Sequence, residues 1–116
     1  MALKPSYNDK LHLPGLSKTE ILILALEASQ KLEWNIEEVT PEGARFEVPF
    51  NMYSHGEEIT FTIEPGSDGE VAVRSQSSSV QFVDYGKNRK NIQKLRETME
   101  EIKTSLTPEE LTQKAK

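Results

Sequence analysis

The sequence has no cysteine in its 116 residues, which excludes disulfide bridges, thiolate catalysis and cysteine-built metal sites. Histidine is nearly absent: His12 and His55 are the only two, too few for a histidine-rich metal centre. No apolar run approaches the roughly 18 residues of a membrane-spanning helix. The most apolar stretch, Ile21-Leu-Ile-Leu-Ala-Leu26, is far shorter. Met1 to Lys10 lacks the apolar core of a secretion signal, so a soluble, cytoplasmic protein is expected. Hydrophobic residues make up a modest 35%, so nearly every periodically placed one is needed inside. A basic excess is missing too: 14 Lys and Arg stand against 19 Asp and Glu, net −5. That balance disfavours nucleic acid and anionic membranes as partners, except through a local patch.

The length fits one domain. Residues 1–106 are expected to form it, with 107–116 as a short helix or frayed tail. Tyr7, Leu11 and Leu13 suggest a short first strand, closed by Pro14-Gly15. Ser17-Lys-Thr-Glu20 then fits a capping box, with Leu16 and Ile21 at the staple positions. From there Ile21, Leu24, Ala25, Ala28 and Leu32 recur at helical spacing, and the helix should end near Glu33.

Four strand candidates follow. Trp34 to Thr40 has an imperfect period, with Trp34 read as a core anchor. Ala44 to Phe50 puts Phe46, Val48 and Phe50 on one face, and Pro49 signals an edge or a strand end. Glu57 to Glu64 alternates with Ile59, Phe61 and Ile63 inward. Beyond the turn Pro65-Gly-Ser-Asp-Gly69, residues 70–77 place Val71, Val73, Ser75 and Ser77 on one face. A second helix carries a narrow stripe, Ile92, Leu95, Met99, Ile102 and Leu106, and Thr107-Pro108 opens a third. The order strand, helix, four antiparallel strands, helix predicts a two-layer α+β domain. It is similar to the TBP-like class, which includes the helix-grip lipid binders.

The chemistry-bearing residues gather between Val73 and Ile92. The pattern Val73-Arg-Ser75-x-Ser77, then Asp84-x-Gly86-x-Asn88 and Asn91-Ile92, resembles a signature found in small bacterial domains. It resembles domain-of-unknown-function family 1499 in particular, whose signature runs R-S-x-S … D-x-G-x-N-x-x-R-I. Asn91 stands where that family has Arg. The resemblance implies no activity, cofactor or partner. It does imply that the strand end, the loop and the helix start act as one unit.

Read as a structural corner, that unit uses Asp84 to cap the second helix, Gly86 to turn, and Asn88 to bond back to the loop. Read as a site, it lines a polar end with Ser75, Ser77, Asp84, Tyr85, Lys87, Asn88 and Arg89. The helix start adds an electrical oddity. Residues 87–96 hold Lys87, Arg89, Lys90, Lys94 and Arg96 and no acid, against the helix dipole. Pairing with Glu57, Glu58, Glu64, Asp68 and Glu70 is the first expected outlet, and an anion site at the helix start the second.

Ser54-His55-Gly56 lacks the surroundings of a catalytic triad, and Asp68 and Glu70 lack metal-ligand spacing. No catalytic residues, metal or cofactor are therefore expected. The sequence points to a non-catalytic binding module for a small amphipathic or anionic ligand at the junction of second helix and sheet. The alternative is a protein-interaction or accessory domain with a filled core.

Overall fold

The structure is a computed structural model, and it describes residues 6–49, 56–77 and 86–115. Its elements in chain order are β1 (Ser6–His12), α1 (Lys18–Lys31), β2 (Asn35–Thr40), β3 (Gly43–Val48), β4 (Glu57–Ile63), β5 (Glu70–Ser77), α2 (Lys87–Ser105) and α3 (Pro108–Lys114). This is the expected α+β order. Phe50, which was assigned to the inner face of β3, lies outside the described residues. Pro49 follows the last residue of an interior strand, so it marks a strand end.

Local chemistry sets the bounds of α1. The Ser17 hydroxyl accepts from the Glu20 amide at 3.1 Å, and the Glu20 carboxylate accepts from the Ser17 amide at 2.8 Å. Two helical N–H groups that would otherwise lack acceptors are thereby settled. At the other end, the Glu33 amide donates to the Gln30 carbonyl (3.1 Å) and the Trp34 amide to the Ser29 carbonyl (2.8 Å). These are the two bonds of a Schellman closure, a motif that usually places glycine at the left-handed position. Here that position is Glu33, at φ 63° the only non-glycine residue with positive φ among those described. Left-handed backbone costs a side-chain-bearing residue roughly 1–2 kcal/mol. Glu33→Gly is therefore expected to stabilise the protein by up to about 1 kcal/mol, after glycine's greater unfolded-state entropy is subtracted. Chemical denaturation would read this as a higher midpoint at unchanged slope.

The five strands form one antiparallel sheet in the order β1-β5-β4-β3-β2. Central β4 carries Ile59, Phe61 and Ile63 to one side, opposite Ser75, Val73 and Val71 of β5. Across β3 the same face continues through Phe46 and Ala44. Helix α1 lies over β2 and β3, α2 lies over β5 and β1, and the two helices pack against each other. Leu24, Phe46, Ile59, Phe61, Val71, Val73, Ile92, Leu95 and Met99 are each at most 1% exposed. Side chains with almost no accessible surface leave little room for water beside them, so these residues close the space between the helices and β3–β5. Trp34 is buried against them, 6.4 Å from the Phe46 ring at a tilt of 44°, as an anchor should be. The other face of the sheet presents Asn8, Lys10, Thr60 and Arg74 to solvent.

The imperfect period of β2 has a specific cause. Ile36 pairs with Phe46 and Glu38 pairs with Arg45, so Glu37 is an extra residue in a bulge. The slip puts Val39, opposite Ala44, on the same face as Ile36. Without it, alternation would pair Ile36 with Glu38. Helix α3 is held on α1: Leu111 is buried, and Lys114 bonds Glu27 at 2.8 Å.

Candidate functional site at a polar corner

The inner face of β5 changes character along its length. Val71 and Val73 are apolar, while Ser75 and Ser77, continuing the same alternation, are polar and equally buried. The core stripe of α2 changes in the same way. Toward its start, the positions preceding Ile92 and Leu95 are Asn88 and Asn91. Packing α2 over β5 therefore superimposes two polar ends.

The resulting bonds are specific. The Ser75 hydroxyl donates to Asn88 Oδ1 at 2.7 Å, and Asn88 Nδ2 donates to the Ser77 hydroxyl at 3.1 Å. Asn91 Nδ2 donates to Glu57 Oε1 at 2.9 Å and reaches Ser75 Oγ at 3.3 Å. Asn88 and Ser75 are 0% exposed, and Glu57, the first residue of β4, is 2% exposed. Such burial is tolerable because each group has partners in a low-dielectric setting. Chemically, the cluster offers hydroxyls, carboxamides and one carboxyl group. The serine that donates does so to an amide oxygen, which is not a proton acceptor of the kind that activates a nucleophile.

Of the seven residues singled out from sequence, Ser75, Ser77 and Asn88 come together in this cluster. Asn88 bonds the strand serines; the loop to which it was expected to bond back lies outside the described residues. Lys87 is half-buried at the start of α2, and Arg89 is exposed. Asp84 and Tyr85 lie outside the described residues, as do Ser54 and His55. Two members of the cluster were missed: Glu57, taken for a surface acid, and Asn91, noted only as a departure from the arginine of the family signature. At that departure the side chain binds Glu57.

The charges sort differently from the expected pairing. Arg96 meets Asp9 of β1 at 2.6 Å, and Glu64 is taken by Lys10 of β1 at 3.1 Å. Among the described residues, Lys87, Arg89, Lys90 and Lys94 make no ion pair. Gly86, in left-handed conformation at φ 75°, brings no side-chain cap, and the first turn of α2 holds no acid. Lys90→Glu should then raise stability by roughly 0.3–1 kcal/mol at low ionic strength. The gain should shrink in 1 M salt, where screening acts within about 3 Å. Thermal melts at two salt concentrations would show it.

The Arg96 hydrogen bond holds the Asp9 carboxyl below the ordinary aspartate range, aided by the Lys10 amide. A depressed folded-state value means stability that is present above the unfolded value and lost as pH falls through the folded one. Both side chains are more than a third exposed, so screening keeps the effect under about 1 kcal/mol. Asp9→Asn should flatten the acid limb of the stability–pH curve below pH ~4 and leave pH 7–8 melts nearly parallel.

Two concavities lie away from the cluster and include none of its members. One of ≈ 520 Å³ lies on the open sheet face, among Asn8, Lys10, Thr60, Thr62, Arg74 and Gln76. Another of ≈ 270 Å³ lies between β1 and α2, floored by Leu11, Leu13 and Met99 and rimmed by Lys10, His12 and Arg96. Among the described residues no group of three or more metal-ligating side chains converges, and no helix is long and apolar enough to cross a membrane. The sequence model of a family described as "Protein of unknown function (DUF1499)" matches residues 5–99, most of the chain. No curated protein matches it.

Proposed function

We propose that this chain, which belongs to the DUF1499 family, is a non-catalytic interaction domain that works through its surface, with its interior serving only to hold that surface in shape. The observation that carries this reading is the filled space between α2 and the β4–β5 part of the sheet, the concavity between α2 and β1 lying beside it. In the helix-grip arrangement, to which the element order is similar, a ligand is expected in that space. Here Phe61, Val73, Ile92, Leu95 and Met99 occupy it at 0–1% exposure. The polar corner supports the same reading: its hydroxyls and amides satisfy one another. Buried networks of this kind rigidify a fold and specify how its elements register.

A second reading has one observation in its favour. The basic start of α2, with Lys87, Arg89 and Lys90 free of ion pairs among the described residues, suits a small anion or the anionic head of an amphipathic molecule. An amide-shift titration separates the two. Inorganic phosphate, acetyl phosphate and laurate are added in turn to the ¹⁵N-labelled chain. The interaction reading expects no saturable shift at residues 75–77 or 86–99. Saturable shifts at those residues would replace it with the anion site.

A further inference from the structure

We infer that the β2 edge of the sheet is a docking edge for an extended, basic segment of a partner protein, added alongside the strand with its apolar side chains against Ile36 and Val39. This rests on the interaction reading above and names its surface. The argument begins with exposure. Every residue of β2 is exposed, and β2 ends the sheet, so among the described residues no strand lies on its outer side. Among the described residues only three large hydrophobic side chains are exposed, and two are here: Ile36 at 39% and Val39 at 49%. The bulge at Glu37 sets both on one face. A natural edge normally carries charge and irregularity in place of apolar side chains. This edge carries all three, which limits what can pair with it without leaving it inert.

Charge selects the occupant. Residues 32–42 hold Glu33, Glu37, Glu38 and Glu42 and no lysine or arginine. A second copy of the chain, pairing β2 to β2, would set glutamates against glutamates and is disfavoured. An extended segment alternating basic with apolar residues meets both features at once: main-chain bonds along the edge, apolar contacts at Ile36 and Val39, and opposite charge at the glutamates. The acidic surface of α2 around Glu97, Glu100 and Glu101 offers no such combination, since it has no exposed large hydrophobic residue and is interrupted by Arg96 and Lys103.

The test uses the full chain and two synthetic decapeptides, one alternating lysine with valine and one alternating glutamate with valine. Amide shifts are followed in the ¹⁵N-labelled protein. The lysine peptide is expected to produce saturable shifts at residues 35–40, with affinity on the order of tenfold above the glutamate peptide. Glu37→Lys/Glu38→Lys should invert that preference, and Val39→Asn should weaken both peptides. All three positions are exposed, so unchanged melting temperatures would confirm intact folds. Shifts centred on residues 97–101, or a preference unaltered by the charge reversal, would overturn the inference. So would concentration-dependent dimerisation that protects residues 35–40. A silent β2 together with a silent anion titration leaves the interaction reading standing with another surface. Saturable anion binding at the start of α2 removes that reading itself.

Discussion

Asn88→Ala is expected to lower unfolding free energy by about 2–5 kcal/mol, a large effect for one polar side chain. Asn88 joins Ser75 and Ser77 through both ends of its amide. Its removal leaves a buried hydroxyl donor without an acceptor and a second hydroxyl without its donor. Each buried group so stranded costs about 1–3 kcal/mol. If the corner is structural, the loss should be recoverable by removing the partners as well. Ser75→Ala/Ser77→Ala/Asn88→Leu extends the apolar faces of β5 and α2 into each other and should regain part of the stability, Asn91 keeping Glu57 as a partner while losing Ser75. A double-mutant cycle on Ser75 and Asn88 should give a coupling of roughly 0.5–3 kcal/mol. Urea denaturation measures all of these. A single Asn88→Ala variant within 0.5 kcal/mol of the parent would show that the corner is not load-carrying in the fold.

Gly69→Ala should be comparably damaging, for a backbone reason. Gly69 ends the β4–β5 turn at φ 76°, and its carbonyl accepts from the Leu13 amide at 2.8 Å. A Cβ there would lie 2.0 Å from the Leu13 carbonyl oxygen. Left-handed strain of roughly 1–2 kcal/mol and forced separation of roughly 1–3 kcal/mol predict a loss of about 2–5 kcal/mol. Gly66 provides the internal control: it shares the turn and the positive φ (73°), but nothing lies within 4 Å of its Cβ position. Gly66→Ala should show the conformational cost alone. Equal losses at both sites would mean that the β1 junction yields, and that the end of β1 is not held to the turn as tightly as the geometry requires.

Much of this architecture is readable from residue spacing. The capping box at Ser17, the alternation of residues 57–63 and 70–77 and the stripe on α2 each fix an element, because one face must be buried. The β2 bulge was visible only as a blemish in the period. Its consequence, two apolar residues aligned on an edge, needed the register with β3. The polar corner was half legible. Ser75 and Ser77 share a face with Val71 and Val73 by simple parity. Glu57 shares parity with Ile59, Phe61 and Ile63, and Asn91 sits one turn before Leu95. Both were passed over because acids and amides are ordinarily assigned to the surface, and nothing local in a sequence says that two polar ends will be stacked. The ion pairs were not legible at all. Arg96 with Asp9 and Lys10 with Glu64 join residues brought near only by the placement of β1 at the sheet edge.

The central claim is that the interior between α2 and strands β4 and β5 is filled and takes no ligand. Diffraction from a crystal pressurised with xenon tests it most directly, since xenon enters apolar cavities but not close-packed cores. The native protein should show no xenon among Phe61, Val73, Ile92, Leu95 and Met99, while Leu95→Ala, with a side chain's volume removed, should show one. A well-occupied xenon site there in the native protein would contradict the account and return the search for a ligand to the space behind the sheet.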